Sequence, residues 1–316
     1  MVEISVLMSV FNENSDDLKK SIDSVLMQNF HDFEFIIVND NPKNANLRFI
    51  LEEYQKEDDR IKLITNKKNI GLALSLNRAA EDAQGKYILR TDADDICVQG
   101  RFKKQYEVAE ENNYDLVCSN YHFINEDNQL LTRKVYFYDA KSIHYLLPIH
   151  NVIHHPTVLM RTSSFKEVGG YRNFLCAQDY DLWLRMLLNN CQFYMLKEKL
   201  LFYRVRENSI TGKNKLKQIY TLEYIRKCYK YQKKHKNYIY DYDEYLSFLE
   251  MKRANDVSNN QKFNEYFERY HNGIKKLANK DYLKGIQDII FVIISSTYYR
   301  NSIFNKVKFQ IMKKIL

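Results

Sequence analysis

Gly85-Lys86-Tyr87-Ile88-Leu89-Arg90-Thr91-Asp92-Ala93-Asp94-Asp95-Ile96 is the stretch on which the fold turns. A glycine opens it, a short apolar run follows, and three carboxylates then crowd into four positions. Tyr87, Ile88 and Leu89 predict a buried strand, because aromatic and β-branched residues without helical spacing suit a sheet interior. Asp92, Ala93, Asp94 and Asp95 fall where that strand should end. In open α/β sheets, ligands bind at the carboxyl ends of strands. Two carboxylates one residue apart repel each other, yet they suit a hard divalent cation that carries phosphates. The plainer reading makes Asp94 or Asp95 the cap of a helix that begins near Val98.

Upstream, Ile4-Ser5-Val6-Leu7-Met8-Ser9-Val10 predicts a first buried strand, with Phe11-Asn12-Glu13-Asn14 as its turn. From Asp16 the spacing is helical, and Leu18, Ile22, Val25 and Leu26 form one apolar face. Phe33-Glu34-Phe35-Ile36-Ile37-Val38 predicts a second strand, which ends in Asn39-Asp40-Asn41-Pro42 where Pro42 stops it. A helix from Leu47 to Glu57, a strand at Ile61-Lys62-Leu63-Ile64 and an Asn69-Ile70-Gly71 turn into a helix through Ala83 complete the series. Strands and helices alternate over short connections, which is the pattern of a parallel sheet with helices on both faces. The expected class is α/β.

The chain has 316 residues, enough for one large domain and an appendage. Three prolines and eight glycines leave no room for a long flexible linker. The start, Met-Val-Glu-Ile-Ser-Val, enters a strand without a basic region or cleavage site, so no secretion signal is expected. Cys97, Cys118, Cys176, Cys191 and Cys228 are scattered and contain no Cys-x-x-Cys pair. They read as reduced thiols of a cytoplasmic protein. Formal net charge is +8, with the excess in the C-terminal third. No nucleic-acid-binding signature accompanies it, so nucleic acid is not an expected partner.

Four of these pieces together resemble glycosyltransferase family 2: Ile4 to Glu13, Ile36 to Asp40, Asn69-Ile70-Gly71-Leu72-Ala73, and Thr91-Asp92-Ala93-Asp94-Asp95. The resemblance continues through His155-Pro156-Thr157-Val158-Leu159-Met160-Arg161, Gly169-Gly170-Tyr171 and Gln178-Asp179-Tyr180-Asp181-Leu182-Trp183-Leu184-Arg185. It covers residues 3 to 210, about two thirds of the chain. The implied fold is GT-A, a Rossmann-like nucleotide-binding half merged with an acceptor-binding half. We therefore expect a nucleotide-sugar-binding and catalytic domain over 1–212 and a basic helical region over 213–316.

The resemblance also implies roles. The donor would be a nucleotide-diphosphate sugar, with UDP the expected nucleotide, and the cofactor Mn²⁺ or Mg²⁺. Phe11, Asn12 and Glu13 would line the base and ribose pocket, with Asn69 and Gly71 in the turn beside it. Asp40 would accept a uracil N–H; an Asx turn into Pro42 is its structural alternative. Asp94 would ligate the metal directly, and Asp92 would touch the ribose or a metal-bound water. Asp95 would cap the next helix. Asp179 would be the catalytic base of an inverting transfer, taking the proton of an acceptor hydroxyl; the alternative makes it the N-cap of its helix. The family usually shows Glu-Asp where this chain has Gln178-Asp179.

His154 and His155 could serve one site only singly, because adjacent strand residues face opposite ways. In Tyr203-Arg204-Val205-Arg206-Glu207-Asn208-Ser209 the family often carries a His where Arg206 stands. Arg204 or Arg206 is read as a diphosphate clamp, since a guanidinium binds phosphate through two parallel hydrogen bonds.

From Lys213 onward the residues are rich in Lys, Tyr and Asn at helical spacing. Ile289 to Ile294 is too short to span a bilayer. Past Asp288 there is no acid, while Arg300, Lys306, Lys308, Lys313 and Lys314 are basic. Ile303, Phe304, Val307, Ile311 and Ile315 fall on one helix side. That pattern suits peripheral contact with an anionic membrane at its cytosolic face. A helix packed on the catalytic domain or on a second copy in a homo-oligomer leaves the same pattern.

The resulting expectation is one sugar moved per acceptor, a glycan or lipid-linked hydroxyl, in surface polysaccharide or capsule synthesis. The family's processive members carry membrane spans and a Gln-x-x-Arg-Trp element that this sequence lacks. A dehydrogenase fails for want of Gly-x-Gly-x-x-Gly after a strand. A sugar nucleotidyltransferase fails for want of a Gly-rich basic loop at Ser9 to Glu13. The remaining alternative is a non-catalytic nucleotide-sugar- or glycan-binding subunit of an assembly complex.

Overall fold

Two strands with almost no solvent-facing residue set the architecture. Ile4–Val10 (β1) is buried at every position but Ser9, and Phe33–Asn39 (β2) at all seven. Strands covered on both faces need apolar or internally bonded side chains throughout, which is why their sequences run nearly unbroken. The structure is a computed structural model that describes residues 2–206, 215–235 and 239–315. The expected boundary at 212/213, with Lys213, and Glu207, Asn208 and Ser209 lie outside the described residues, as does the Lys306 side chain.

The helix Ser15–Leu26 (α1) follows β1, capped by Asn14, which accepts from the Asp16 and Asp17 N–H groups. Ala45–Glu57 (α2), Ile61–Thr65 (β3), Leu72–Glu81 (α3) and Tyr87–Arg90 (β4) come next. Then follow Ile96–Cys97 (β5), Arg101–Asn112 (α4), Leu116–Ile124 (β6), Leu130–Leu131 (β7) and Ala140–Leu146 (α5). Leu159–Arg161 (β8), Thr162–Glu167 (α6), Gln178–Leu188 (α7) and Phe193–Arg204 (β9) complete this part.

The sheet order is β3-β2-β1-β4-β8-β6-β9-β5, with β7 on β6. From β3 to β4 all neighbours are parallel, the expected arrangement. Beyond β4 the sheet is mixed, because β8 runs antiparallel to both β4 and β6. Ile4, Val6, Met8 and Val10 join Leu18, Ile22, Leu47, Leu51 and Phe102 in one core. α3 packs on β1 and β2, burying Ala73, Leu76 and Ala79. The far end of β9 pairs with β5, Phe202 opposite Ile96, and so brings the chain after Leu201 beside the aspartates.

Gly85 is fixed by close approach. A Cβ there would lie 2.4 Å from Ser5 N and 2.7 Å from Ile4 C. Its N–H donates to Ser5 Oγ (2.8 Å), which in turn donates to the buried Glu34 Oε1 (2.6 Å). We expect Gly85→Ala to cost roughly 1–3 kcal/mol, because backbone atoms must shift to admit the methyl group. Urea unfolding of both proteins checks this; an unchanged midpoint would remove the close-approach argument.

The chain divides into two compact units, residues 1–147 with 151–209, and residues 148–150 with 210–316. The second holds the helices Lys215–Lys234 (α8), Tyr242–Met251 (α9), Val257–Ala278 (α10), Tyr282–Ser295 (α11) and Thr297–Ile315 (α12). One of its clusters is small: Leu216, Phe263, Val292 and Tyr299 are its buried members. No helix among the described residues is long and apolar enough to cross a membrane.

Candidate active site

Parallel pairing sends the ends of β1, β2, β3 and β4 to one edge of the sheet. Phe11 to Glu13, Asp40, Asn69 to Gly71 and Asp92 to Asp95 are therefore neighbours in space although they are spread over the sequence. Asp40 organises its part of the edge. Its carboxylate accepts from Ile70 N (2.8 Å), Gly71 N (2.9 Å) and Asn66 Nδ2 (2.7 Å). Gly71 begins α3 at φ +87, a conformation that a side chain would strain. The Asx turn before Pro42 belongs to Asn39, whose Oδ1 accepts from Asn41 N (2.9 Å). Asn41 Nδ2 donates to the Phe11 carbonyl (2.8 Å) and Phe11 N to Glu13 Oε2 (2.7 Å), tying the β1 and β2 ends together. Phe11, Asn12 and Asn69 are exposed along this edge.

The aspartates after β4 do not cap a helix. α4 begins at Arg101 behind Gly100, which is left-handed and offers no side-chain cap. Asp95 is instead wholly buried and accepts from Arg204 N (2.9 Å), fastening the end of β9. Arg204 is likewise structural. Its guanidinium donates to the carbonyls of Asp94, Asn125 and Glu126 and to Asn128 Oδ1, and pairs with Asp17 Oδ1 at 3.2 Å. Its side chain is 0% exposed, so of the two arginines read as a diphosphate clamp Arg204 is the one the fold encloses. Arg206, 29% exposed, remains at the surface of the cluster and bridges Asp94 Oδ2 (2.8 Å) and Asp17 Oδ2 (2.9 Å).

Asp92 Oδ1 pairs with the buried guanidinium of Arg90. Burial raises the Asp94 carboxyl above the usual carboxylate range, and Asp92 adds to this; Arg206 and Arg204 offset part of it. Burial likewise raises Glu13, with Asp94 and Asp92 contributing. Burial, then Asp92 and Asp94, push Asp95 well up. Like charges crowded in a poorly hydrated place have this effect.

Among the described residues no three His, Cys, Asp or Glu side chains form a group able to hold a metal alone. A cation that also takes phosphate oxygens needs only one or two carboxylates. Asp92 and Asp94 offer two such carboxylates one residue apart, both partly exposed. The donor set thus fits a divalent ion whose coordination a substrate completes.

The two histidines have different partners, although they lie not on a strand but at the start of a 3₁₀ turn, His155–Thr157, with His154 as its N-cap. His155 Nε2 is hydrogen-bonded to Tyr171 OH (2.7 Å). His154 stacks on Tyr121, ring centroids 4.3 Å apart, and meets the edge of Tyr203. Burial pushes it down to about 4, so it is a neutral ring at physiological pH.

Asp179 stands at the second position of α7. The N-cap is Ala177, at φ +56, so Asp179 is not the cap. Asn151 Nδ2 donates to Asp179 Oδ2 (2.9 Å). Burial raises its carboxyl, while the Tyr180 N–H, Asn151 and Arg90 partly offset this. Arg90 therefore lies within electrostatic reach of both Asp92 and Asp179. Asp181 faces elsewhere, holding Arg185 (2.8 Å) and Arg172 (3.2 Å). Arg185 in turn donates to the Val168 and Gly170 carbonyls and fixes the glycine turn before Tyr171.

Three residues of this site went unread in the sequence. Asp17 looked like an ordinary first-turn acid of α1, and Asn151 sits in a stretch without periodicity. Arg90 carried the one available signal, a charge at the end of an otherwise apolar strand.

Comparison with known proteins identifies the family. The family model described as Glycosyl transferase family 2 matches residues 5–169. An uncharacterized glycosyltransferase of Methanocaldococcus jannaschii is 38% identical over 227 residues, 70% of this chain and 78% of that protein. The O-antigen biosynthesis glycosyltransferase WbnJ of Escherichia coli is 32% identical over 65% of this chain and 81% of its own length. The crystal structure of S. aureus TarS 1-349 in complex with UDP-GlcNAc superposes with a TM-score of 0.57 at 16% identity. That match covers 71% of this chain and 66% of the TarS chain, and shows the shared fold. With a family model over half its length and relatives matched across most of theirs, the chain belongs to glycosyltransferase family 2 and is a glycosyltransferase.

Proposed function

We propose that this glycosyltransferase is inverting and depends on a divalent cation. It would move one sugar from a nucleotide-diphosphate sugar, with UDP as the nucleotide, to a hydroxyl of a glycan or lipid-linked acceptor. The observation that carries the reading is the pair of partly exposed carboxylates, Asp92 and Asp94, at the carboxyl end of β4, in a chain that also holds a buried carboxylate, Asp179, on Asn151. The names of the relatives, O-antigen biosynthesis among them, support a role in surface polysaccharide synthesis. The TarS complex with UDP-GlcNAc supports a UDP-linked donor. In this reading residues 1–212 form the catalytic domain and 213–316 an accessory helical region.

Phe11, Asn12 and Glu13 line the base and ribose pocket, closed by Asn69 and Gly71. Asp40 spends three of its acceptor positions on the turn, and a uracil N–H takes the fourth. Asp94 holds the cation together with the diphosphate, and Asp92, kept in place by Arg90, contacts the ribose or a cation-bound water. Bound Mn²⁺ or Mg²⁺ supplies stabilisation of the charge on the departing diphosphate. Asp179 takes the proton of the acceptor hydroxyl as its oxygen bonds to the anomeric carbon. The bond from that carbon to the phosphate oxygen breaks on the opposite side, and its electron pair leaves with the nucleotide. Calorimetric titration with a panel of nucleotide sugars, with and without Mn²⁺, tests the donor. Binding of one UDP-sugar only with Mn²⁺ is expected; a folded chain that binds none would overturn the reading.

The partner of the C-terminal region follows from a separate observation. Leu283, Ile286, Ile290 and Ile294 of α11 and Phe304, Val307, Ile311 and Ile315 of α12 are exposed at helical spacing. An apolar stripe among lysines, with no acid after Asp288, suits an anionic lipid surface. Replacing Val307 and Ile311 together by Glu should lower the fraction bound to phosphatidylglycerol vesicles about tenfold. Unchanged binding would sink the membrane contact. A changed molecular mass in solution would instead mark the stripe as the contact between two copies.

A further inference from the structure

Arg206 is the cation nearest to being exchangeable in the acid cluster. Arg204, two residues earlier, is locked by its acceptors and fully enclosed. Arg206 lies beyond the last residue of β9, is 29% exposed, and among the described residues is held by carboxylates, Asp94 through Nε and Asp17 through Nη2. Two carboxylate oxygens presented to adjacent nitrogens of one guanidinium imitate the way a diphosphate presents its oxygens. Asp94 Oδ2 is thereby taken up by an internal cation. A divalent ion at Asp94 competes with the guanidinium for the charge of one carboxylate, and a guanidinium released from it needs a new anion.

We propose that Arg206 is the resident cation of this cluster and changes partners on donor binding, passing from Asp94 to the diphosphate while Asp94 passes to the metal. Cation and nucleotide then strengthen each other's binding, and Asp94 keeps a cationic partner in both states. Asp17 keeps Arg204 as a partner throughout, so the end of β9 stays anchored while Arg206 moves. The inference rests on the metal-dependent reading above.

The test is Mn²⁺ binding to the full chain, followed by electron paramagnetic resonance of the free ion, with and without UDP. In the native protein UDP should tighten Mn²⁺ binding by about 10- to 100-fold, the usual range of a coupling between two ligands. In Arg206→Gln, Mn²⁺ alone should bind about tenfold more tightly than in the native chain, and the coupling to UDP should shrink by a similar factor. UDP affinity should fall in the same variant, since its diphosphate loses the guanidinium. A circular dichroism spectrum and unfolding midpoint matching the native chain exclude a folding defect. Native-like Mn²⁺ affinity in Arg206→Gln without UDP overturns the exchange. UDP binding indifferent to Mn²⁺ in both proteins overturns the metal-dependent reading itself, and the exchange with it.

Discussion

Asp179→Asn should lower kcat by about 10²- to 10⁴-fold, the range that a positioned general base contributes. Donor binding should be left intact. The substitution is nearly isosteric, and the Asn151 amide can still donate to the remaining carbonyl oxygen where it now donates to Oδ2 at 2.9 Å. What the amide cannot do is accept the proton of the acceptor hydroxyl. Because Ala177 and not Asp179 is the N-cap of α7, the substitution leaves the cap residue unchanged. Transfer measured with a radiolabelled donor, beside calorimetric donor affinity, separates the two effects. A rate within tenfold of native would place the base elsewhere.

The same residue sets the acid side of the pH profile. As the proposed base, Asp179 would work deprotonated, so activity should be present above its pKa and be lost as pH falls through it. Burial raises that pKa from the ordinary carboxylate value, about 3.9 in model peptides. The acid limb of kcat/KM therefore lies above the usual carboxylate range, and the residual activity of Asp179→Asn should not show it.

How far the sequence could be read depended on the range of the interactions involved. β1, β2 and β4 were legible because burial on both faces writes an unbroken apolar run. Asp92 and Asp94 were legible as a site because they follow such a run, where side chains reach the edge of the sheet. Arg204 and Arg206 looked equivalent, two cations separated by a valine. The pairing of β9 with β5 and β6 separates them, turning Arg204 inward onto carbonyls and leaving Arg206 outside. Asp95 was expected at a helix N-terminus because it precedes α4. Its actual partner is the Arg204 N–H, 109 residues away, which no local pattern reports. Asp17 was invisible for the same reason, since what gives it a role is Arg206, 189 positions on. Local patterns report strands and their ends, whereas partnerships made across the sheet leave no pattern in the sequence.

Asp94→Ala should abolish the Mn²⁺ dependence of donor binding and lower the transfer rate by roughly 10²- to 10³-fold, comparable to the loss of one group that stabilises a developing anion. The argument runs through charge. Asp94 is the carboxylate of the cluster that is both partly exposed, at 25%, and paired with the movable Arg206. Asp95 is enclosed and committed to β9, and Asp92 gives one oxygen to Arg90. Removing Asp94 therefore takes away the metal donor while Arg204, held by backbone carbonyls, still anchors the strand. The fold should survive, and the unfolding midpoint should change little. Arg206 would keep Asp17 as a partner and could still meet a diphosphate, so the variant should bind UDP weakly and with equal strength in Mn²⁺ and in chelator. Native protein in chelator should behave like the variant in Mn²⁺. If Asp94→Ala instead retained Mn²⁺-stimulated transfer near the native rate, the ion would have to be held elsewhere on this edge. Asp92 and Glu13 would be the carboxylates to replace next, since both belong to the same cluster.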